Sequence, residues 1–302
     1  MEVRPLGKSA LQVSSIGLGC VTFGREIDQE TAFTVMDRAL ERGITLFDTA
    51  EAYGRGASET VIGHWLADRG TRDRIVLATK VAGSLTAAHV LESAEASLRR
   101  LQVEQVDLFQ LHRFDPDAPL EETLEALNQV AERGWARAVG CSNYSAAQLS
   151  QALALQEQRG WARMVSVQPN YNLVERDIEQ ELLPLCAEQQ IGVISYSPLG
   201  AGFLTGKYRE GGSVPAGTRF DMLPSHQDIY FKPRGWQVVE GLRAHSEASG
   251  ISMLHLALAW AIGQPGITSV LIGARSTKHV DQAFEAEAMG LSPEVRAALN
   301  AL

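Results

Sequence analysis

The chain has 302 residues, 45% of them hydrophobic and 21% charged, which is the composition of an ordinary globular protein with one large domain or two small ones. Its 27 basic and 36 acidic residues give a net charge of −9, which repels polyphosphates and anionic membranes and argues against nucleic acid as the main partner. The N-terminus has no apolar signal segment, and the longest uncharged stretch, residues 248–274, is broken by Gln264-Pro265-Gly266, so we expect a cytoplasmic protein without a membrane span.

The predicted elements begin with a short hairpin, because residues 2–6 and 11–13 flank the turn-like sequence Gly7-Lys8-Ser9. Short apolar runs then alternate with longer segments of helical period, which is typical of strand-helix-strand units. The eight strands predicted from these runs are residues 15–18, 45–48, 75–79, 106–111, 136–140, 165–168, 193–196 and 269–272. Ser145 and Gln148 have the spacing of a capping box and predict the start of one intervening helix.

Eight strands alternating with helices predict an α/β fold, a (β/α)₈ TIM barrel that forms a single domain over residues 1–302. A doubly wound sheet is the alternative fold. The glycine-rich stretch at residues 17–24 does not fit the GxGxxG phosphate turn, because Thr22 stands where the third glycine is required. This mismatch favours the barrel.

A long insertion is predicted in the C-terminal half. The expected strand ends near residues 48, 80, 112, 142, 168 and 196 are evenly spaced, but the next one comes only near residue 273. Residues 207–235 are rich in glycine, proline and polar residues and also carry Tyr208, Phe220, Tyr230 and Phe231. A long loop on a barrel rim is often a lid or a specificity loop, so we predict a substrate loop here. A surface loop without a binding role is the alternative.

Ionisable residues follow three successive strands, at the end of the barrel where active sites lie. Asp48 ends one strand, Lys80 and His112 follow the next two, and Tyr53 lies in the loop after Asp48. An ammonium group close to a tyrosine favours the phenolate and is expected to lower the phenol pKa from about 10. Asp48 is expected to hold Lys80 charged, and His112 to donate a hydrogen bond to a substrate oxygen. A carbonyl oxygen that becomes an alkoxide needs such an arrangement.

The chain resembles the aldo-keto reductase family over nearly its whole length. The motifs that carry the resemblance are Phe47-Asp48-Thr49-Ala50 with Tyr53-Gly54, Ala78-Thr79-Lys80, Leu111-His112-Arg113, Gly140-Cys141-Ser142-Asn143-Tyr144, Gln168-Pro169-Asn170-Tyr171-Asn172, Ser195-Tyr196-Ser197-Pro198-Leu199-Gly200 and Gly273-Ala274-Arg275-Ser276. The resemblance implies hydride transfer between NADP(H) and a carbonyl or alcohol substrate, an aldehyde, ketone or sugar. It also implies that Tyr53 is the general acid/base, that Lys80 and Asp48 tune it, and that His112 orients the carbonyl.

The remaining motifs are similar to the cofactor site of that family. Ser142, Asn143 and Gln168 are expected to bind the nicotinamide carboxamide, and Tyr196 to stack on the ring. Backbone donors around Leu199 to Leu204 are expected to bind the pyrophosphate, with Ser197 in the same turn. Around Gly273, the residues expected at the 2′-phosphate and adenosine are Arg275, Ser276, His279 and Gln282.

The chain departs from the family at the adenosine end. Relatives often have glutamine where His279 stands and glutamate-asparagine where Gln282-Ala283 stands, and Ile272 replaces a common proline. The departures concern the adenosine contacts and hence the strength of NADPH preference, whereas the four catalytic candidates are unaffected.

Other function classes have weaker support. The seven histidines show no HxH or HExxH pair, the three cysteines show no CxxC spacing, and no GxSxG elbow occurs, so neither a metal site nor a serine hydrolase is predicted. The competing class is a nicotinamide-sensing regulatory subunit of the same fold. The partner expected for the enzyme is a small carbonyl or sugar substrate.

Overall fold

A computed structural model describes all 302 residues, and its ten strands form a two-stranded sheet and a closed barrel. The two-stranded sheet is an antiparallel hairpin of β1 (Val3–Pro5) and β2 (Gln12–Ser14). The eight parallel barrel strands are β3 (Ile16–Gly19), β4 (Leu46–Asp48), β5 (Val76–Val81), β6 (Val106–Leu111), β7 (Ala136–Ser142), β8 (Met164–Gln168), β9 (Gly192–Ser195) and β10 (Ser269–Gly273). They follow one another around the barrel in chain order, and β10 closes it by pairing with β3. The predicted (β/α)₈ barrel with an N-terminal hairpin is therefore confirmed.

All eight predicted barrel strands are present, with ends that differ by at most two residues from the prediction. β5 continues to Val81 because Val81 still pairs with Leu111, and Lys80 consequently lies within the strand. β7 continues to Ser142, which pairs with Gln168. β9 ends one residue earlier than predicted, so Tyr196 begins the following loop.

Helices separate the strands and cover the outside of the barrel. They are α1 (Gln29–Glu41), α2 (Ala57–Arg69), α3 (Ala87–Leu101), α4 (Leu120–Glu132), α5 (Ala146–Arg159), α6 (Leu182–Gln189), α7 (Arg219–Met222), α8 (Gln227–Tyr230), α9 (Pro233–Ser249), α10 (Met253–Ile262), α11 (Thr277–Met289) and α12 (Pro293–Asn300). The predicted capping box is confirmed: Ser145 Oγ accepts from Gln148 N, and the Gln148 side chain accepts from Ser145 N. Gly160 ends the same helix in the left-handed conformation, at φ 68°.

The hairpin closes the N-terminal end of the barrel. Leu6, Leu11 and Val13 are buried against interior side chains of the strands. Gly7 has φ +56°, and a Cβ there would lie 2.3 Å from the carbonyl oxygen of Val165 near the start of β8, so only glycine fits. The opposite, C-terminal end of the barrel is left to form a mouth.

The insertion at residues 207–235 is folded onto the barrel by its aromatic side chains. It contains α7, α8 and a 3₁₀ turn at Pro224–His226, and it follows another 3₁₀ segment, Gly200–Thr205. Tyr208, Phe220 and Tyr230 are buried, and their rings lie within 6.4 Å of the ring of Phe203. These aromatic residues therefore attach the insertion to the neighbouring turn.

The three cysteines are free and buried, as expected for small core residues. None of the helices combines the length and the apolar character that a bilayer crossing requires.

Candidate active site

The structure brings the four predicted catalytic residues together at the mouth of the barrel. Asp48 and Lys80 lie on adjacent strands, and Lys80 Nζ is 2.6 Å from Asp48 Oδ2. The same nitrogen is 3.4 Å from the phenolic oxygen of Tyr53. His112 follows β6, and its ring lies nearly perpendicular to that of Tyr53, with centroids 5.7 Å apart. One ammonium group thus links a carboxylate to a phenol, with an imidazole beside the phenol.

A tight turn after β4 directs Tyr53 back toward Lys80. Gly54, Arg55 and Gly56 all have positive φ, between 56° and 89°, immediately before α2. Glycine adopts this conformation without strain, whereas Arg55 carries a side chain there and is strained. Ser58 N then donates to the carbonyl oxygen of Tyr53 and closes the turn. Local backbone geometry therefore positions the phenol.

Lys80 remains a charged ammonium although its side chain is fully buried. Burial by itself lowers the pKa of Lys80, but the neighbouring Asp48 and Tyr53 outweigh it, and the net pKa is raised. The third contact of the ammonium is the carbonyl oxygen of Thr49, at 2.8 Å. The three acceptors fix the position of the charge.

Tyr53 departs from the sequence-based expectation about its pKa. The Lys80 ammonium does lower the pKa of the phenol, but removal of the ring from water raises it more, and the net pKa is raised. The expectation of a lowered pKa was wrong because it considered the charge and left out the desolvation. Tyr53 consequently holds its proton firmly at neutral pH.

His112 is neutral at neutral pH. Burial, together with the positive charges of Lys80 and Arg113, lowers its pKa to about 3. Its Nδ1 atom is buried without a hydrogen-bond partner. A neutral imidazole that lies 5.7 Å from the Tyr53 ring can donate one hydrogen bond to an oxygen bound at the mouth.

Two glutamine amides complete the surroundings of Asp48. Gln168 Nε2 donates to Asp48 Oδ1 at 2.8 Å, and Gln110 Nε2 lies 3.5 Å from the same oxygen. Gln110 was not among the predicted site residues. In the sequence, Gln110 stands out as a polar residue inside an apolar strand. It lies on the same face of that strand as Leu108, and this face points into the barrel. The carbonyl oxygen of the Gln110 amide is buried and has no partner.

The residues predicted to bind nicotinamide form one hydrogen-bonded group beside His112. Tyr196 OH donates to Asn143 Oδ1 at 2.8 Å, and Asn143 Nδ2 donates to Ser142 Oγ at 3.0 Å and to the carbonyl oxygen of His112 at 2.9 Å. Ser142 Oγ in turn donates to the carbonyl oxygen of Gln168 at 2.7 Å. The side chains of Ser142, Asn143 and Tyr196 therefore hold one another beside the catalytic candidates, and Gln168 joins them through its main-chain carbonyl.

The turn predicted to bind the pyrophosphate is partly closed on itself. Gly200 N donates to the carbonyl oxygen of Ser197, and Gly202 N and Leu204 N both donate to that of Leu199. Three donors in the predicted stretch therefore already have acceptors, because the chain forms 3₁₀ turns there. Ser197 has φ 56°, which marks the sharp change of direction after β9.

The residues predicted for the 2′-phosphate and adenosine lie between β10 and α11. Gly273 ends β10 and is exposed, Ser276 is the residue before α11, and Gln282 is half-buried on α11. Arg275 N donates to His279 Nδ1 at 3.1 Å, so this histidine supports the backbone of Arg275. Burial, with the charges of Arg275 and two lysines nearby, lowers the pKa of His279.

Ala283 belongs to the buried core and does not face this part of the surface. Residue 283 therefore contributes to the packing of α11.

A basic corner lies around Arg275. We use this name for the side chains Arg25, Lys207, Arg219, Arg275 and Lys278, whose charges act on one another or on His279. Arg25 and Arg219 both form ion pairs with Glu26, and Arg275 lies 4.0 Å from it. Lys207 and Arg219 were predicted only as parts of the insertion. In a chain of net charge −9, such a corner is suited to an anionic ligand.

No group of three or more histidine, cysteine, aspartate or glutamate side chains is arranged to hold a metal ion.

Comparison with known proteins gives a consistent result. The family model described as "Aldo/keto reductase family" matches residues 15–302. The chain is 33% identical over 300 residues to a "Probable voltage-gated potassium channel subunit beta" of Arabidopsis thaliana, covering 95% of this chain and 91% of that protein. It is 33% identical over 319 residues to "Aldo-keto reductase YhdN" of Bacillus subtilis (strain 168), covering 100% of this chain and 93% of that protein. It is 32% identical to "Uncharacterized oxidoreductase YrpG" of the same organism, covering 99% and 95% of the two chains.

Proposed function

The chain belongs to the aldo/keto reductase family, a family of oxidoreductases, and from this premise we propose that it is a cytoplasmic enzyme that transfers a hydride between NADP(H) and a small carbonyl or alcohol substrate. The substrate class is an aldehyde, a ketone or a sugar. The observation that carries the proposal is the position of Lys80 Nζ, between Asp48 Oδ2 at 2.6 Å and Tyr53 OH at 3.4 Å.

Tyr53 moves the proton in this proposal. In reduction, the phenol donates its proton to the substrate oxygen as that oxygen gains negative charge, and the phenolate that remains is stabilised by the Lys80 ammonium. Because the pKa of the phenol is raised in the free enzyme, the proton is present on Tyr53 at neutral pH before the reaction begins. In the direction of oxidation, the same oxygen accepts the proton of the alcohol.

His112 and Asp48 support this step without exchanging the proton themselves. With a pKa of about 3, His112 stays neutral and donates a hydrogen bond that orients the substrate oxygen. Asp48 holds Lys80 in place and keeps it charged, while the amide of Gln168 occupies the other carboxylate oxygen. The charges needed in the transition state are therefore already in position.

The residues present suit NADP(H) chemically. When bound, the reduced nicotinamide supplies the hydride that the carbonyl carbon accepts. Amides and hydroxyls for its carboxamide come from Ser142, Asn143 and Gln168, and Tyr196 provides an aromatic face. At the other end, the basic corner supplies the positive charge that phosphates require, with Arg275 as the guanidinium for the 2′-phosphate.

The remaining predicted cofactor residues are assigned in the same proposal. The turn of Ser197 and Leu199 approaches the pyrophosphate, and the residues at the adenosine phosphate and base are Gly273, Ser276, His279 and Gln282. The insertion at residues 207–235 contributes Lys207 and Arg219 to the basic corner. Part of this predicted substrate loop is therefore proposed to bind the cofactor phosphates.

The test is oxidation of NADPH by the purified protein with a panel of aldehydes, ketones and sugars, with NADH in parallel. We expect many turnovers with at least one carbonyl and a lower Kd for NADPH than for NADH. If no carbonyl in a broad panel is reduced although the dinucleotide binds, the catalytic proposal fails and the binding proposal stands.

A second candidate function is a nicotinamide-sensing regulatory subunit. It is favoured by the similarity to a plant protein named as a probable potassium channel β subunit, which covers 95% of this chain. Stopped-flow kinetics distinguish the two functions. An enzyme shows a steady state of many turnovers, whereas a sensor shows one slow hydride transfer and then retains the oxidised dinucleotide.

A further inference from the structure

Glu26 is a single carboxylate placed among three guanidinium groups that come from three segments of the chain. Its Oε1 atom lies 2.5 Å from Arg25 Nη2 of the same loop and 2.5 Å from Arg219 Nη1 of the insertion. Its Oε2 atom lies 4.0 Å from Arg275 Nη1, in the loop after β10. Both carboxylate oxygens therefore face the positive groups of the basic corner.

The charges in this group are unequal and poorly hydrated. The side chain of Glu26 is 9% exposed and that of Arg219 is 21% exposed, and burial lowers the pKa of Arg219. Three guanidinium groups share one carboxylate, which leaves an excess of positive charge for an anionic ligand. A largely buried carboxylate interacts more strongly with a nearby anion than an exposed one does, because solvent screens it less.

Glu26 also holds two other segments together. Arg275 Nη1 lies 3.4 Å from the carbonyl oxygen of Gly217, two residues before Arg219. The insertion is thus tied to Glu26 through Arg219 and contacts the predicted phosphate ligand Arg275 through Gly217. A phosphate that binds Arg275 must therefore come close to the carboxylate of Glu26.

We propose that Glu26 is a specificity-determining residue that weakens the selection of a phosphorylated dinucleotide over an unphosphorylated one. The inference rests on the proposed function, in which Arg275 binds the 2′-phosphate. Glu26 acts in two ways: its negative charge repels a phosphate dianion, and its ion pairs occupy guanidinium groups that the phosphate would use. A 2′-hydroxyl carries no charge and can donate to a carboxylate, so the unphosphorylated dinucleotide is affected much less.

The test compares wild-type protein with Glu26→Gln, which keeps the shape of the side chain and removes its charge. Calorimetric Kd values are measured for adenosine 2′,5′-bisphosphate, adenosine 5′-monophosphate, NADPH and NADH, so no catalytic step is involved. We expect Glu26→Gln to tighten binding of the bisphosphate and of NADPH about tenfold, and to change the Kd of the other two less than about twofold. The gain should diminish at high salt because the repulsion is screened.

Two further variants separate charge from shape. Glu26→Asp keeps the charge and should keep the wild-type ratio of Kd values, whereas a purely steric role would alter that ratio in this shorter variant. Glu121→Gln, which removes the carboxylate that pairs with Arg159 on the helical surface, should leave all four Kd values unchanged.

An unchanged or weakened affinity of Glu26→Gln for the bisphosphate would overturn the inference, provided that thermal unfolding shows the variant to be folded. If instead the wild-type protein binds neither dinucleotide, the proposed function and this inference both fail. Binding of both dinucleotides with an unaltered preference in Glu26→Gln would contradict only the role of Glu26.

Discussion

The catalytic group at the mouth and the basic corner differ in how their charges are balanced. At the mouth, the fully buried Lys80 has one carboxylate partner, Asp48, and both are held by further hydrogen bonds. At the basic corner, three guanidinium groups share Glu26 and are one-fifth to two-fifths exposed. The charges of the first region are balanced within the chain, whereas the second region carries an excess of positive charge. In the proposed function, proton transfer therefore relies on charges that the chain itself compensates, and phosphate binding relies on positive charge in excess.

The largest expected effect on turnover comes from Tyr53→Phe, which removes the proposed proton donor. We expect a loss of at least about a thousandfold in turnover with every carbonyl of the panel, because no other group supplies the proton. The Kd for NADPH should change less than about threefold, since the basic corner is untouched. Steady-state rates and a binding titration measure the two quantities.

The matched control is Tyr208→Phe, which removes a buried hydroxyl without a hydrogen-bond partner from the aromatic group of the insertion. Its rate should be close to that of the wild type. Full activity of Tyr53→Phe would show that the proton comes from another group.

The charge balance between Lys80 and Asp48 is tested by Lys80→Met, which leaves the Asp48 carboxylate buried without a cation beside it. We expect the free energy of unfolding to fall by about 3 kcal/mol, because an unpaired buried charge is costly. The double variant Asp48→Asn/Lys80→Met should recover part of this loss. Urea unfolding of the three proteins measures the effect, and equal stability of all three would mean that the charge pair has no influence on folding.

At the basic corner, Arg275→Met removes a charge that is only partly compensated within the chain, by Glu26 at 4.0 Å. Because a hydrogen bond to a charged group contributes about 1.5–3 kcal/mol, the Kd for NADPH should rise about 10- to 100-fold, while that for NADH changes little. The stability should barely change because the side chain is 43% exposed. Arg209→Met, an exposed cation of the insertion, is the control, and an equal loss of affinity for both dinucleotides would argue against phosphate recognition.

The smallest expected effect concerns the pH dependence of stability through His112. Its pKa is about 3 in the folded protein and near 6.5 when unfolded, so the unfolded state binds the proton first as the pH falls. The stability should therefore decrease from about pH 7 toward pH 3. Relative to His112→Gln, the wild type should lose about 1 kcal/mol by pH 5, since the half-buried ring is partly screened. Parallel pH profiles of the two proteins would contradict this.

The sequence predicts the barrel well because its evidence is repeated eight times. Most strands are apolar runs followed by a helix of regular period, and Asp48 ends one of them at the mouth. The same logic places Lys80 and His112 on neighbouring units, and the structure brings them together around one phenol.

The parts that the sequence does not predict depend on burial and on long-range contacts. The sign of the Tyr53 pKa shift results from desolvation, which a list of charged neighbours does not include. Gln110 is recognisable only when the inward face of its strand is known, and the ion pair of Glu26 with Arg219 joins residues 193 positions apart. None of these leaves a periodic pattern in the chain.

The hairpin that covers the N-terminal end of the barrel also restricts how ligands exchange. Because that end is filled by Leu6, Leu11 and Val13, the dinucleotide and the carbonyl compound of the proposed function would both enter at the C-terminal mouth. The molecule that reaches deeper cannot depart while the other covers it, so binding and release are expected to follow a compulsory order. Product-inhibition patterns would reveal which of the two arrives first.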